Sequence, residues 1–206
     1  MRDKKINVGF IINYRLDGWL GVTNYYLNLF NSIKSFKKNG NLNIVIITDN
    51  YFTNKEKSYF KGFKILKTKI LNRKSKLLKI LNLLQIIIFG KNFVIEEFLK
   101  KNDIDLISHT SFLGNKSLIP SIKWFPDFQE YHFPENFSFK QRLARKIDLI
   151  LSRIHSTKLL VSSKSVMNDL LKIDKKAYFK TLVLHHFNKV DSKKISNLFN
   201  LKKKYN

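Results

Sequence analysis

The feature that most limits the fold of this chain is a short, almost continuous apolar run, Ile6 to Ile12, near its start. Such a run is typical of a parallel strand that is covered on both faces. Segments with apolar residues at helical spacing separate it from further predicted strands, which are 42–48, 63–66, 103–108, 123–127, 158–161 and 181–184. Strands that alternate with helices in this way predict a doubly wound parallel α/β sheet.

Helix signals support this alternation. A stripe of apolar residues at helical spacing follows the first strand; it comprises Val22, Tyr26, Leu29, Phe30, Ile33 and Phe36. Ser138 and Gln141 fit a capping box, and they open a second stripe made of Phe139, Leu143, Ile147, Ile150, Leu151 and Ile154. Ser162 to Ser165 open a third helix, for which we expect Val166, Leu170 and Leu171 to face inward.

The chain of 206 residues is strongly basic, with 39 Lys and Arg against 15 acids and a net charge of +24. Nucleic acid is the obvious partner for such a charge. However, 33 of these bases are Lys and six are Arg, whereas base readout favours Arg. An excess of Lys, Asn and Ile is also typical of AT-rich coding DNA. A non-catalytic basic module that binds nucleic acid or an anionic membrane therefore stays as an alternative, with nucleic acid the less favoured partner.

Several other classes are excluded by composition. The chain has no Cys, so disulfides and Cys-ligated zinc are excluded, and its 44% hydrophobic share excludes a disordered chain. No targeting segment precedes the first strand, which predicts a cytoplasmic protein, with peripheral contact at the inner face of the membrane as an option. The longest apolar stretch, 77–89, is shorter than the roughly 20 residues of a membrane span and predicts a buried or interfacial helix.

A basic segment leads into that apolar stretch. Residues 55–79 contain ten Lys and Arg and one acid, Glu56. A basic segment beside an apolar helix is typical of contact with an anionic bilayer, so 55–89 is a candidate membrane surface. The alternative is a solvated Lys-rich face with a core helix behind it.

Two polar regions follow predicted strands. Gly18 and Gly21 lie between the first strand and the first helix, where glycines and a helix N-terminus can admit a phosphate; a tight turn is the alternative. In the loop after 123–127, Asp127 is a candidate base and His132 a candidate proton-transfer group. The alternative there is an aromatic loop packed for structure. These regions lie where parallel sheets bind ligands.

The remaining histidines give weaker signals. His109 follows the strand 103–108 and is a candidate binding residue, although a structural hydrogen bond would explain it as well. His185 and His186 follow the last strand, and adjacent strand residues point to opposite sides, so no metal site is predicted there or elsewhere. No G-x-S-x-G elbow or dinucleotide fingerprint is present.

Several of these segments occur in an order that is known from one enzyme family. After the glycine loop come Asn24-Tyr-Tyr-Leu27, Trp124-Phe-Pro-Asp-Phe-Gln129, Phe133-Pro-Glu-Asn-Phe137 and Val161-Ser-Ser163. In this order they resemble the N-terminal half of a glycosyltransferase of family 4, which has the GT-B fold. The resemblance covers about residues 5–187 and implies a Rossmann-like, acceptor-side domain over 1–190. Residues 191–206 would form a Lys-rich tail or the start of an interdomain linker.

The resemblance also implies a function. Family members transfer a sugar from a nucleotide sugar to a glycan or lipid-linked acceptor, with retention and without a required metal or other cofactor. Gly18 and Gly21 would approach the donor diphosphate, Asn24 and His109 would bind substrate, and Asp127 would be the acidic residue at the cleft. Gln129 and His132 would lie near it. Because a donor-binding half would be missing, we expect the chain alone to be inactive, with a separate chain as its possible partner.

Overall fold

The computed structural model describes residues 5–13, 20–35, 41–72, 74–109 and 112–186. Its strands are β1 (Ile6–Ile11), β2 (Leu42–Thr48), β3 (Lys64–Lys67), β4 (Leu106–His109), β5 (Ser121–Phe125), β6 (Lys158–Val161) and β7 (Thr181–Val183). Its α-helices are α1 (Leu20–Ser35), α2 (Asn54–Tyr59), α3 (Lys76–Phe89), α4 (Phe93–Lys101), α5 (Gln129–His132), α6 (Phe139–His155), α7 (Lys164–Ile173) and α8 (Lys175–Tyr178). Two 3-10 turns lie at Lys69–Leu71 and Pro134–Asn136.

The seven strands form a single parallel sheet in the order β3-β2-β1-β4-β5-β6-β7. All neighbouring pairs are parallel, and Val8 in β1 lies opposite Ile44 in β2 and Leu106 in β4. The chain first adds strands on one side of β1 and then continues on the other side from β4. The predicted doubly wound α/β sheet is confirmed, and its order reverses between β1 and β4.

Helices cover both faces of this sheet. Ile44 and Ile46 of β2 belong to one buried cluster, with Phe30 of α1, whereas Val45 and Ile47 belong to another. Because successive strand residues point to opposite faces, these clusters lie on opposite sides of the sheet. The second cluster also contains residues of α4, and a third surrounds β6; they include Ile95, Leu99, Leu149, Leu159 and Leu170.

Local signals explain where the helices begin and end. The capping box predicted at the start of α6 is present, since the Ser138 side chain accepts a hydrogen bond from the Gln141 backbone and the Gln141 side chain accepts one from Ser138. Thr53 and Glu56 form a second capping box at α2. Gly90 ends α3 in a left-handed conformation, which glycine adopts without strain.

The solvent exposure of the helices differs from the sequence-based expectation in three places. In α3 the buried residue is Ile86, and most of the apolar side chains are exposed, so the alternative of a core helix is wrong. In α6 much of the predicted stripe is exposed; Phe139, Leu143, Ile147 and Ile154 are among its exposed members. In α7 Leu170 is buried as predicted, whereas Leu171 is exposed, because α7 buries only a narrow face.

Over the described ranges no single helix is long and apolar enough to cross a membrane. The pair α3 and α4 together has the length and composition, but the two helices are bent by 98° at their junction. Gly18 and the Lys-rich tail 191–206 lie outside the described residues. The division into 1–190 and 191–206 stays a prediction.

Candidate functional site

The carboxyl ends of β4 and β5 open into a cavity of about 370 Å³. It lies beside the point where the strand order reverses, which is where open α/β sheets bind their ligands. The residues that line it come from the segment after β1, from α1, β4 and β5, from the loop after β5 and the helix α5 that follows it, and from α6. They are Asn13, Val22, Tyr26, His109, Lys123, Trp124, Phe125, Pro126, Asp127, Phe128, Glu130, Arg145 and Asp148. Two of the predicted site residues, His109 and Asp127, therefore share one cavity.

His109 is the last residue of β4 and is 5% exposed. Its backbone has a φ of 77°, in the left-handed region that non-glycine residues rarely adopt. Its Nε2 lies 2.8 Å from the Tyr25 hydroxyl, and its Nδ1 lies 2.7 Å from the Ser108 hydroxyl. Both ring nitrogens are therefore hydrogen-bonded, and these two contacts hold the imidazole in place at the end of the strand.

Burial keeps this part of the site uncharged. Desolvation lowers the pKa of His109 from 6.5 to about 3, because the imidazolium would lose its hydration without gaining a carboxylate partner. Burial also raises the pKa of the Tyr25 phenol. At neutral pH both groups are therefore neutral, and neither attracts an ion.

Aromatic rings form the wall beside His109. The rings of Tyr25 and Trp124 are stacked, with centroids 4.2 Å apart and an interplanar angle of 6°. The His186 ring meets the Tyr25 ring edge-on at 4.9 Å. The indole Nε1 of Trp124 is buried and has no hydrogen-bond partner in the part of the chain that the structure describes. These rings are thus tightly packed on one another, and the indole N–H of Trp124 is buried among them.

A second cavity of about 310 Å³ adjoins this aromatic pair and is lined by Tyr25 itself. Its other lining residues are Gly21, Asn24, Asn28, Leu29, His185 and His186. The expectation that His185 and His186 point to opposite sides is wrong, because β7 ends at Val183 and the two residues lie beyond the strand. Of the predicted site residues, Gly21 and Asn24 therefore lie together in this second cavity.

The loop after β5 carries the acidic group of the first cavity. The carboxylate of Asp127 accepts two long hydrogen bonds of 3.4 Å from Gln129, one from its backbone and one from its side chain. Arg145 of α6 lies 4.0 Å from Asp127 and forms a 2.7 Å ion pair with Glu130. Asp127 is thus the more loosely held of the two carboxylates that face Arg145.

A further ion pair lies in the same cavity. The Nζ of Lys123 in β5 contacts both carboxylate oxygens of Asp148 in α6, at 3.2 and 3.1 Å. Together with Arg145, Asp127 and Glu130, this pair gives the cavity mouth two cations and three carboxylates. Such a set, in which carboxylates outnumber cations by one, suits a polar ligand with many hydroxyl groups better than a polyanion.

The predicted site residue His132 does not line either cavity. Its Nε2 lies 2.8 Å from the Asp169 carboxylate of α7, so it joins α5 to α7. Gln129 reaches the site through its contacts with Asp127. Gly18 lies outside the described residues.

Several lining residues were not among the predicted site residues, and three of them matter most for the site: Tyr25, Trp124 and Arg145. No separate sequence signal marks Tyr25, because it lies beside the apolar residues at helical spacing in α1. Trp124 was interpreted as part of a strand. Arg145 had a usable signal, because the chain has six arginines among 39 basic residues and three of them lie on α6. Arg is the residue suited to directed, multidentate contacts, so this concentration marks the helix.

The described residues contain no group of three or more His, Cys, Asp or Glu side chains that could hold a metal ion. What the two cavities offer is hydrogen bonding, aromatic surface and a carboxylate beside a guanidinium. These groups can bind and orient a hydroxyl-rich molecule and can accept a proton at Asp127.

Comparisons with known proteins bear on the fold. No family model matches the sequence, and no curated protein matches it. Among solved structures, S. aureus MnaA, determined with UDP, matches 86% of this chain and 43% of its own, at 12% identity and a TM-score of 0.50. A Listeria monocytogenes protein assigned as a UDP-N-acetylglucosamine 2-epimerase matches 86% of this chain and 44% of its own, at 11% identity and a TM-score of 0.50. A glycosyltransferase from Rickettsia africae ESF-5 matches 97% of this chain and 50% of its own, at 12% identity and a TM-score of 0.48.

At this identity the likeness shows the fold alone. The first two matches, together with the strand order, show that the chain has the architecture of one Rossmann-like half of a GT-B protein. The chain spans half or less of the length of the structures that it matches.

Proposed function

We propose that this chain is the acceptor-side half of a retaining glycosyltransferase of the GT-B fold, similar to family 4. The observation that carries the proposal is the cavity at the ends of β4 and β5, where neutral His109 and the carboxylate of Asp127 line the same space. The likeness to GT-B halves supports the placement of a cleft at this edge of the sheet.

The chemistry of the cavity supports a sugar as ligand. A sugar offers hydroxyl groups that donate and accept hydrogen bonds, and the polar side chains of Asn13, Asp127 and Arg145 line the cavity as possible partners. Its apolar C–H faces can pack against aromatic side chains, and Trp124, Phe125 and Phe128 line the cavity. Among the described residues no cluster of metal ligands is present, and the cations of this cavity do not outnumber its carboxylates, so neither a metal nor a long polyanion is favoured.

The second cavity is a candidate binding site for the phosphates of the nucleotide sugar. Gly21 lies in the first turn of α1, and a Cβ built there would have no atom within 4 Å. A helix start of this kind offers free backbone N–H groups to an anion, and Asn24 lies one turn further along the same wall. The base and ribose of the nucleotide would bind the other half of the cleft, from a further domain in this polypeptide or in another, so this chain would hold the phosphates and the sugar only weakly.

In this proposal Asp127 contacts the acceptor molecule. During transfer the bond from the sugar to the diphosphate breaks, a bond to the acceptor oxygen forms, and the acceptor hydroxyl loses its proton. Asp127 has only long contacts with Gln129, so its carboxylate can orient that hydroxyl or accept the proton. Arg145, 4.0 Å away, stabilises the negative charge near it.

The test is ligand binding by the 206-residue chain. UDP-sugars and GDP-sugars are titrated by calorimetry and by saturation-transfer NMR against wild type, His109→Asn and Asp127→Asn. The exposed Glu135 gives the matched control, Glu135→Gln. We expect weak binding that His109→Asn reduces at least fivefold and that the control leaves unchanged. Equal binding by all four proteins, or none by wild type to any sugar nucleotide, contradicts the proposed site.

Activity tests the claim that this is one half of an enzyme. Sugar transfer or hydrolysis is measured for the chain alone and together with the polypeptide encoded directly downstream. Turnover that appears only with the second polypeptide supports the proposal. Turnover by the 206-residue chain alone contradicts it.

A sugar-nucleotide epimerase is the second candidate, because the Listeria monocytogenes protein of matching fold is assigned that activity. An assay of the same reconstituted mixture distinguishes a transferase from an epimerase. A transferase forms a glycosylated product only when an acceptor is present and does not form the C2 epimer. An epimerase converts UDP-N-acetylglucosamine to its C2 epimer without an acceptor, which NMR of the anomeric region detects.

A further inference from the structure

The most unusual surface of the molecule is the outer face of α3. Six apolar side chains on this 14-residue helix are exposed at spacings of i, i+3, i+4, i+7, i+10 and i+11; they are Leu77, Ile80, Leu81, Leu84, Ile87 and Ile88. At 100° per residue these positions form one continuous stripe. Leu77 is 66% exposed and Ile88 is 65% exposed. We call these six residues the apolar stripe of α3.

The apolar stripe continues onto neighbouring residues. Phe89, Phe93 and Val94, at the junction of α3 and α4, are also exposed. Monomeric soluble proteins rarely expose so many adjacent apolar side chains unless the surface binds something. The stripe faces away from the sheet, since the inward position of the helix is Ile86.

Cationic side chains lie at both ends of the stripe. Lys74, Lys76 and Lys79 are exposed around the start of α3. At the end of α3, the Nζ of Lys91 lies 4.6 Å from the ring centre of Phe93. The side chain of Lys116 lies beside Gly90, the residue that ends the helix, and its carbon atoms are 3.0 Å from where a Cβ on that glycine would be. Glu96 and Glu97, the acids of the following helix, are each paired with a lysine four residues on. The surface is therefore apolar along its middle and positive at its two ends.

We propose that the apolar stripe of α3 binds the surface of an anionic lipid bilayer, with the helix lying parallel to the membrane plane. A 14-residue helix is about 21 Å long, which is too short to span the roughly 30 Å hydrocarbon layer but suits an interfacial position. Apolar side chains would enter the acyl region while the flanking lysines contact lipid phosphates. This inference is independent of the proposed function.

Charge favours a bilayer over a second copy of the chain. If two copies packed their stripes together around a two-fold axis, the lysines at the helix ends of one copy would approach those of the other, and like charges at an interface are unfavourable. Nucleic acid would not cover the apolar stripe. An anionic bilayer satisfies both the apolar middle and the positive ends.

The test is vesicle flotation of the 206-residue chain. Vesicles of phosphatidylcholine with 30% phosphatidylglycerol are compared with vesicles of phosphatidylcholine alone. We expect wild type to float with the anionic vesicles and much less with the neutral ones. The double variant Leu77→Ser/Ile88→Ser should bind at least tenfold more weakly, because two side chains lose their burial in lipid. Lys76→Gln and Lys79→Gln should each weaken binding to the anionic vesicles about fivefold.

The matched control is Phe179→Ser/Leu182→Thr, which removes two exposed apolar residues at the β7 side of the sheet. It should float like wild type, and circular dichroism should show all variants folded, since every substituted residue is exposed. Equal loss in the control, or no flotation of wild type, overturns the proposal. A dimer in sedimentation velocity that Leu77→Ser/Ile88→Ser dissociates, without vesicle binding, would assign the stripe to a second copy instead.

Discussion

The imidazole of His109 and the hydroxyl of Tyr25 lie 2.8 Å apart although 84 residues separate them in the chain. This contact joins the end of β4, where His109 lines the first cavity, to α1, where Tyr25 lines the second. Both side chains are buried, so the hydrogen bond cannot be replaced by water without opening the packing between the helix and the sheet. It therefore fixes the shape of the proposed substrate site.

The first prediction concerns the pH dependence of stability. Since the pKa of His109 is about 3 in the folded chain and 6.5 in the reference state, the unfolded chain takes up a proton below pH 6.5 that the folded chain does not accept. The contribution of neutral His109 to the free energy of unfolding is therefore fully present above pH 6.5, and it falls as the pH decreases towards 3. The loss is about 1.4 kcal/mol per pH unit, or about 2 kcal/mol between pH 6.5 and pH 5.

His109→Asn isolates this contribution, because Asn does not titrate and tolerates the left-handed backbone. Urea unfolding of wild type and variant is measured at pH 7, 6 and 5. The variant should be less stable at pH 7, and the difference should shrink by about 2 kcal/mol at pH 5. A difference that stays constant with pH would show that the folded chain protonates His109 normally.

The second prediction concerns the hydroxyl of Tyr25. Tyr25→Phe keeps the ring stacked on Trp124 but leaves Nε2 of His109 without its partner inside the protein. We expect a loss of about 1–3 kcal/mol in the free energy of unfolding, the usual cost of an unsatisfied buried group. Tyr51→Phe, at an exposed tyrosine, should change stability by less than about 0.5 kcal/mol and serves as the control.

The third prediction compares two glycines. Gly114 has a φ of 109°, and a Cβ there would clash with the backbone oxygen of Gly90, so Gly114→Ala should destabilise by about 2–4 kcal/mol. Gly21 is helical with open space around its Cβ position, so Gly21→Ala should stabilise by about 0.5–1 kcal/mol. Thermal unfolding measures both.

The same Gly21→Ala variant also probes function. If a phosphate approaches the start of α1, the added methyl group should weaken sugar-nucleotide binding while the fold becomes more stable. Binding unchanged from wild type would remove Gly21 from the proposed site. Opposite effects on stability and binding are not expected from a purely structural glycine.

The fourth prediction concerns the capping box of α6, the helix that supplies Arg145 to the cavity. Ser138→Ala removes the side chain that accepts the Gln141 N–H, and it should cost about 1 kcal/mol. Ser138→Asp keeps an acceptor at a helix start and should match wild type or exceed it slightly. Chemical denaturation tests this, and equal losses in the two variants would contradict the capping role.

Much of the fold follows from local sequence. The bounds of β2 were predicted as 42–48 and are confirmed, because the strand is apolar along its length and ends at a polar turn. The capping box at Ser138 was predicted for the same kind of reason: it depends on two residues three positions apart.

The exposure of α3 could not be predicted in this way. Its sequence is apolar on nearly every side, so hydrophobicity does not show which face meets the sheet. The geometry of the site was hidden for a related reason. His109 and Asp127 were predicted from their positions at strand ends, but the partners Tyr25 and Arg145 come from helices far along the chain, and only the packing of α1 and α6 brings them there.

The two edges of the sheet have a consequence for association between molecules. β3 is four residues long and carries exposed lysines at both ends, Lys64 and Lys67, while β7 at the other edge has three residues. Short and charged edge strands resist the addition of a strand from another molecule. Part of the positive charge of this chain thus protects a seven-stranded sheet from polymerising through its open hydrogen-bonding groups.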